Sequence, residues 1–227
     1  MTRASKLKWA AFIAIDLALA VSLVFLFLVR DAANDLERLD ELGTNLLPQA
    51  QPIRVFQLQD TEGQIFDQQR FSGQWSMVFY GFTNCPDVCP LTMAELGKFY
   101  RQLQAENSDL PLPQIVMATV DPQRDSAAEL RAYLDDYSED FIGLTGSERQ
   151  LANLAEQLYV VSNTAAERSE HEGHMTMPQA SDGAQLFDHS GHISVINPDG
   201  ELYAVMRLPH RDQYLLEAWE LLSSDWD

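Results

Sequence analysis

The chain has 227 residues, 46% of them hydrophobic and 22% charged, which is enough apolar material for one full domain with a short appendage. Its formal net charge is −19 and nearly all the acids follow Arg30, so the main body is strongly acidic and nucleic acid is disfavoured as a partner. Such a surface suits a basic protein partner, a cation, or simply solubility.

Residues 1–8 contain Arg3, Lys6 and Lys8, and Trp9 to Val29 is an apolar run of 21 residues. At helical rise that run matches the hydrocarbon thickness of a bilayer. Asp16 costs about 2.5–3.5 kcal/mol on the insertion scale, against about 4–8 kcal/mol returned by the Leu, Ile, Phe and Val residues of the run. Insertion is therefore favoured. Basic residues before the span and Asp31, Asp35 and Glu37 after it hold residues 1–8 in the cytoplasm. The alternative is a cleaved signal peptide, for which Ala18-Leu19-Ala20 resembles a cleavage site, yet strong hydrophobicity continues beyond it. The sequence thus predicts a single-pass anchor over 9–29 in the inner (cytoplasmic) membrane, with the C-terminal domain on the periplasmic side.

Residues 30–50 read as a partly helical stalk and linker, and 51–227 as the folded domain. Ile53 to Leu58 alternates, Asp60-Thr-Glu-Gly63 is a turn signal, and Gln64 to Phe66 pairs back as a hairpin. Trp75 to Phe82 is a nearly unbroken apolar run, the pattern of a strand buried on both faces. Cys85 and Cys89 follow directly. Pro90 and the helical spacing of Leu91, Ala94, Leu96, Phe99 and Leu103 predict a helix with Cys89 at its N-cap. Unpaired amides at a helix start favour thiolate over thiol at both sulfurs.

Further along, Gln114–Val120 reads as a second buried strand, Ser126–Tyr137 and Glu148–Leu158 as helices, and Val160-Val161 as a short strand. Residues 162–187 are polar and irregular. Ile193–Ile196 and Leu202–Met206 flank the turn signal Asn197-Pro-Asp-Gly200, and Tyr214–Leu222 is a last amphipathic helix. No internal repeat is present. The order β-α-β-α, then hairpin and helix, with a cysteine pair after the first buried strand, is that of an α/β, thioredoxin-like domain with an N-terminal β-hairpin.

Two cysteines outside the cytoplasm have three possible jobs. A structural disulfide closing so short a loop contributes only about 2 kcal/mol, and a domain with this much apolar material does not need it. Redox chemistry and metal binding remain, and both use thiolates.

The segments Gly81-Phe-Thr-Asn-Cys-Pro-Asp-Val-Cys-Pro-Leu-Thr92, Val120-Asp-Pro-Gln-Arg-Asp125, Asp188-His-Ser190 and Asn197-Pro-Asp-Gly200 together resemble the SCO (synthesis of cytochrome c oxidase)/SenC family. The resemblance spans Gln51 to Leu222 and extends to the preceding anchor. It implies a copper-binding, thioredoxin-like protein that helps build the binuclear copper centre of cytochrome c oxidase. Cys85, Cys89 and His189 would be the ligands for Cu(I) or Cu(II). Partners implied are the oxidase subunit that carries the copper site and other copper chaperones. Independent chemistry agrees, since soft thiolates select Cu(I) and imidazole accepts either oxidation state. Structural zinc would need a fourth ligand, His192 or a loop histidine.

Asp87, Asp121 and Asp188 are candidate supporting residues around the ligands, each with an ordinary turn or solvated role as its alternative. His192 faces away from His189 on an extended segment and reads as structural. His171, His174, Met175 and Met177 gather copper-compatible groups in seven residues and form a candidate auxiliary copper loop. Two functions stay open: a copper chaperone, and a thiol-disulfide oxidoreductase that reduces the cysteines of a target copper site.

Overall fold

A run as apolar as Trp75–Phe82 needs cover on both faces, and in the computed structural model it becomes the middle of an eight-stranded sheet. The structure describes residues 17, 19–24, 26, 30, 33–105, 110–160, 162–163, 188–189 and 191–224, with the backbone alone at 162–163 and 188–189. Two units are present, Met1–Glu41 and Leu42–Asp227.

In the first unit residues 33–41 are helical, with Arg38 and Glu41 paired at 2.8 Å. Leu17, Leu19, Val21, Leu23, Val24 and Leu26 are exposed. Much of the 9–29 run, Asp16 included, lies outside the described residues. Among the described residues no helix is long and apolar enough to cross a membrane.

The second unit contains strands β1 (Thr44–Pro52), β2 (Gln57–Asp60), β3 (Ile65–Asp67), β4 (Ser76–Gly81), β5 (Gln114–Thr119), β6 (Ile142–Thr145), β7 (Ser162–Asn163), β8 (Asp188–His189), β9 (Ile193–Ile196) and β10 (Glu201–Met206). Its helices are α1 (Val88–Ala105), α2 (Ala127–Asp135), α3 (Glu148–Gln157) and α4 (Asp212–Ser223). The main sheet runs β1-β10-β9-β4-β5-β6-β2-β3, and β7 pairs with β8 separately. β4, β5 and β6 are parallel neighbours, while β9 lies antiparallel to β4. The mixed sheet with helices on it is the α/β, thioredoxin-like architecture the sequence predicts.

Period-two alternation divides the core. Val78 and Tyr80 of β4 join Val116 and Ala118 of β5, Phe56, Phe66, Phe71 and the leucines of α3 on one face. The Tyr80 hydroxyl donates to the Leu151 carbonyl at 3.0 Å, satisfying a buried polar group and tying β4 to α3. Met77, Phe79, Ile115 and Met117 are also fully buried but stand apart from that cluster, on the alternate positions. α1 packs against α4 through Phe99 and Trp219, whose rings meet edge to face at 6.1 Å.

Four differences from the sequence reading have physical causes. β1 occupies residues read as stalk, so the folded unit begins at Leu42 rather than 51. Its prolines suggested a linker, but β1 is an edge strand pairing only with β10, where proline is tolerated, and its register breaks between Leu46 and Gln51. β6 was not anticipated because Gly143 interrupts a four-residue run. That glycine is where α2 crosses the strand: an added Cβ would lie 2.9 Å from Leu130 Cβ. α1 starts at Val88, so Cys89 is inside the first turn rather than at the cap. The short strand near residue 160 is Ser162–Asn163, beyond Val160.

Candidate metal centre

β4 ends at Gly81 and α1 starts at Val88, and both cysteines belong to this junction. Phe82 to Cys85 is a turn closed by the Cys85 N–H donating to the Phe82 carbonyl at 3.2 Å. The Cys89 N–H, in the open first turn of α1, points at the Cys85 sulfur at 3.5 Å. The sulfurs therefore share one site, and neither cysteine is in a disulfide.

Their surroundings differ. Cys85 is half-buried, whereas Cys89 is fully enclosed. Gly81 makes room for it: a Cβ there would stand 3.0 Å from Cys89 Sγ, 2.8 Å from Phe79 Cε1 and 3.1 Å from Met117 Cε. Burial pushes the Cys89 thiol far up from its usual range, with the hydrogen bond to Cys85 adding to the rise, the Phe82 backbone opposing it, and the Cys85 and Asp125 charges adding again. The expectation of a thiolate at both positions is thus corrected for Cys89 in the metal-free protein. Desolvation outweighs the helix start, and Cys89 stays protonated until a cation arrives.

The backbone of His189 pairs with Ser162 in the β7–β8 ribbon, and Asp188 pairs with Asn163. The side chains of Asp188 and His189 lie outside the described residues, as do His171, His174, Met175 and Met177. Two residues past His189 the chain reaches Gly191, where a Cβ would meet Val88 Cγ1 at 3.7 Å and Leu208 Cδ1 at 2.7 Å. Val88 sits between the cysteines in sequence. Gly191 therefore lies beside the start of α1.

The other two described histidines are occupied. His192 Nε2 donates to the Leu158 carbonyl at 2.9 Å and His210 Nε2 to the Gly191 carbonyl at 3.0 Å, for a carbonyl can only accept. Both are buried, and burial lowers their affinity for a proton. His192 is structural, and a zinc site that recruits it loses its fourth ligand. Among the described residues no group of three or more His, Cys, Asp or Glu side chains could hold a metal.

Asp87 is exposed on the cysteine loop. Asp121 is buried and pairs with Arg124, and its N–H donates to Thr119 Oγ1 at 2.9 Å. The carboxylate that reaches the cysteine loop is Asp125, which the sequence reading passed over. It accepts from the Thr83 N–H at 3.2 Å and from the Thr83 hydroxyl at 2.5 Å. The signal was a pair of threonines, Thr83 and Thr119, placed at or just beyond the ends of adjacent strands.

This dithiol at the end of a buried central strand, on a mixed sheet with α1 and α4 packed together, defines a thioredoxin-like domain with a soft-donor site. A profile of the SCO1/SenC family matches residues 45–220, and the chain belongs to that family. A Stutzerimonas stutzeri protein named for copper binding is 35% identical over 193 residues, 85% of each chain. The mitochondrial SCO2 homolog of Mus musculus is 39% identical over 145 residues, 64% of this chain and 52% of that protein, so this chain spans about half the mouse relative. Among solved structures, yeast Sco1 with copper bound is similar with a TM-score of 0.60 at 27% identity, over 74% of this chain and 85% of that one.

Proposed function

We propose that this protein is a membrane-anchored copper chaperone for the binuclear copper centre of cytochrome c oxidase. Copper is its cargo, and Cys85, Cys89 and His189 are the residues that would hold it. The observation that carries the reading is the single site formed by the two cysteines, with the chain beyond His189 packed against Val88. The donor set fits: two sulfurs suit Cu(I), and an added imidazole permits Cu(II). When bound, copper supplies the positive charge that lets the buried Cys89 lose its proton. Cys89 lines the closed side of the site, and the half-buried Cys85 offers the face from which cargo can leave. Asp87, Asp121 and Asp188 are the supporting candidates of this reading, and His171, His174, Met175 and Met177 its auxiliary copper loop.

Residues 9–29 serve as the anchor in the inner membrane, with residues 42–227 on the extracytoplasmic side. The partners are the oxidase subunit that receives copper and the chaperones that donate it. The apolar run and the flanking charges support this placement.

Copper titration of the reduced full-length protein, followed by absorption and EPR, tests the reading. One equivalent is expected to bind, and Cys85→Ala, Cys89→Ala and His189→Ala each to lose it. A reduced wild-type protein that takes up no copper would refute it. The second reading, a thiol-disulfide oxidoreductase, is favoured by the direct contact between the Cys89 amide and the Cys85 sulfur. Reduction of a target dithiol by a His189→Ala variant that binds no copper would establish it instead.

A further inference from the structure

Asp125 has no exposed surface, and a buried carboxylate persists only where enough donors surround it. Thr83 reaches it through both its N–H and its hydroxyl, and the Thr119 hydroxyl donates to Oδ2 at 2.6 Å. Because Thr119 Oγ1 accepts from the Asp121 N–H, its own proton is left for Asp125. The backbone of Asp125 is held as well: its N–H donates to the Asp121 carbonyl at 2.9 Å, and its carbonyl accepts from the Thr145 hydroxyl at 2.9 Å.

Helix capping does not explain this arrangement. α2 already has a complete capping box, in which Ser126 accepts from the Glu129 N–H and the Glu129 side chain accepts from the Ser126 N–H. What Asp125 grips is Thr83, the second residue of the turn from Phe82 to Cys85. Cys89 is located separately, by the space at Gly81. Each sulfur thus has its own locating device.

We propose that Asp125 is a positioning residue of the metal site: by holding Thr83 it fixes the turn that carries Cys85, and so sets where that sulfur stands relative to the enclosed sulfur of Cys89. This inference rests on the copper reading above for its metal readout but not for its metal-free one. Outer residues that orient ligands typically change metal affinity by about 10- to 100-fold when removed.

The test uses full-length Asp125→Ala, Asp125→Asn, Thr83→Val and Thr83→Ser proteins, with circular dichroism to confirm folding. Copper affinity and the Cu(II) absorption and EPR spectra are one readout. The rate at which iodoacetamide alkylates Cys85 without metal is the other. Asp125→Ala and Thr83→Val are expected to bind copper at least about tenfold more weakly, with an altered Cu(II) spectrum, and to alkylate several-fold faster. Thr83→Ser keeps both donors and should match wild type. Asp125→Asn separates charge from shape, and it decides with Thr83→Val should Asp125→Ala fail to fold. Wild-type spectra and alkylation rates in Thr83→Val and in the folded Asp125 variants would overturn the proposal. If wild type binds no copper but the variants alkylate faster, the copper reading falls and the positioning role stands.

Discussion

The cysteine pair and the buried histidine pair are both made of metal-ligating residue types, and the fold treats them in opposite ways. His192 and His210 each spend a ring nitrogen on a backbone carbonyl in an enclosed setting. Cys85 and Cys89 stand side by side, and a backbone amide from the first turn of α1 reaches the Cys85 sulfur. Residue type therefore does not decide which donors are available to a metal. Donation of a ring N–H to a backbone carbonyl sets the two histidines apart.

The largest effect should come from removing a sulfur: Cys89→Ala or Cys85→Ala is expected to abolish stoichiometric copper uptake, measured by titration and EPR, with little change in fold. His192→Leu should do the reverse. It leaves copper uptake at the wild-type level and lowers stability by about 1–3 kcal/mol, read as a shift in urea midpoint, because among the described residues the Leu158 carbonyl then keeps the longer bond from Ser194 at 3.3 Å. Loss of copper binding in that variant would erase the contrast.

Gly81→Ala tests the enclosure of Cys89. An added methyl within 2.8 Å of Phe79 and 3.0 Å of Cys89 Sγ should cost about 1–3 kcal/mol, or about 2–10 °C in melting temperature by calorimetry.

The pH response sharpens the histidine side. Both histidines have proton affinities below the usual value near 6.5, so the unfolded chain binds protons more readily than the native one. Their contribution is fully present above pH 6.5 and is lost as pH falls below it. The lowered carboxylates, Glu95 beside Lys98 and Glu129 bonded to Ser126, act below their ordinary 4.5, in a separate window. Chemical denaturation between pH 7.5 and 5.5 should show declining stability, and His192→Leu should flatten part of the slope. The smallest effect belongs to exposed Asp87. Asp87→Asn should change stability by less than about 0.5 kcal/mol in the same assay.

Much of the domain is readable from pattern alone. β4 announces itself because six consecutive residues are buried, and the β2–β3 hairpin, the α2 cap and the β9–β10 turn each carry local signals. What escapes is set by distant neighbours. β6 exists because α2 crosses Gly143, and β1 because β10 offers an edge that tolerates proline. The cysteines were legible as a pair, but the raised proton affinity of Cys89 was not, since it comes from burial of the sulfur in the folded core, where Gly81 leaves room for it. Asp125 was hidden for the same reason: its partner Thr83 is 42 residues away.

That separation vanishes because β4 and β5 run parallel in register, with Gly81 opposite Thr119, so their C-terminal ends deliver the cysteine turn and its carboxylate anchor to one spot. The site is therefore not portable. Transplanting Phe82–Pro90 onto another helix start would carry the two sulfurs and leave behind both Gly81 and Asp125. A designer who wants this centre elsewhere must move a pair of strands, not a loop.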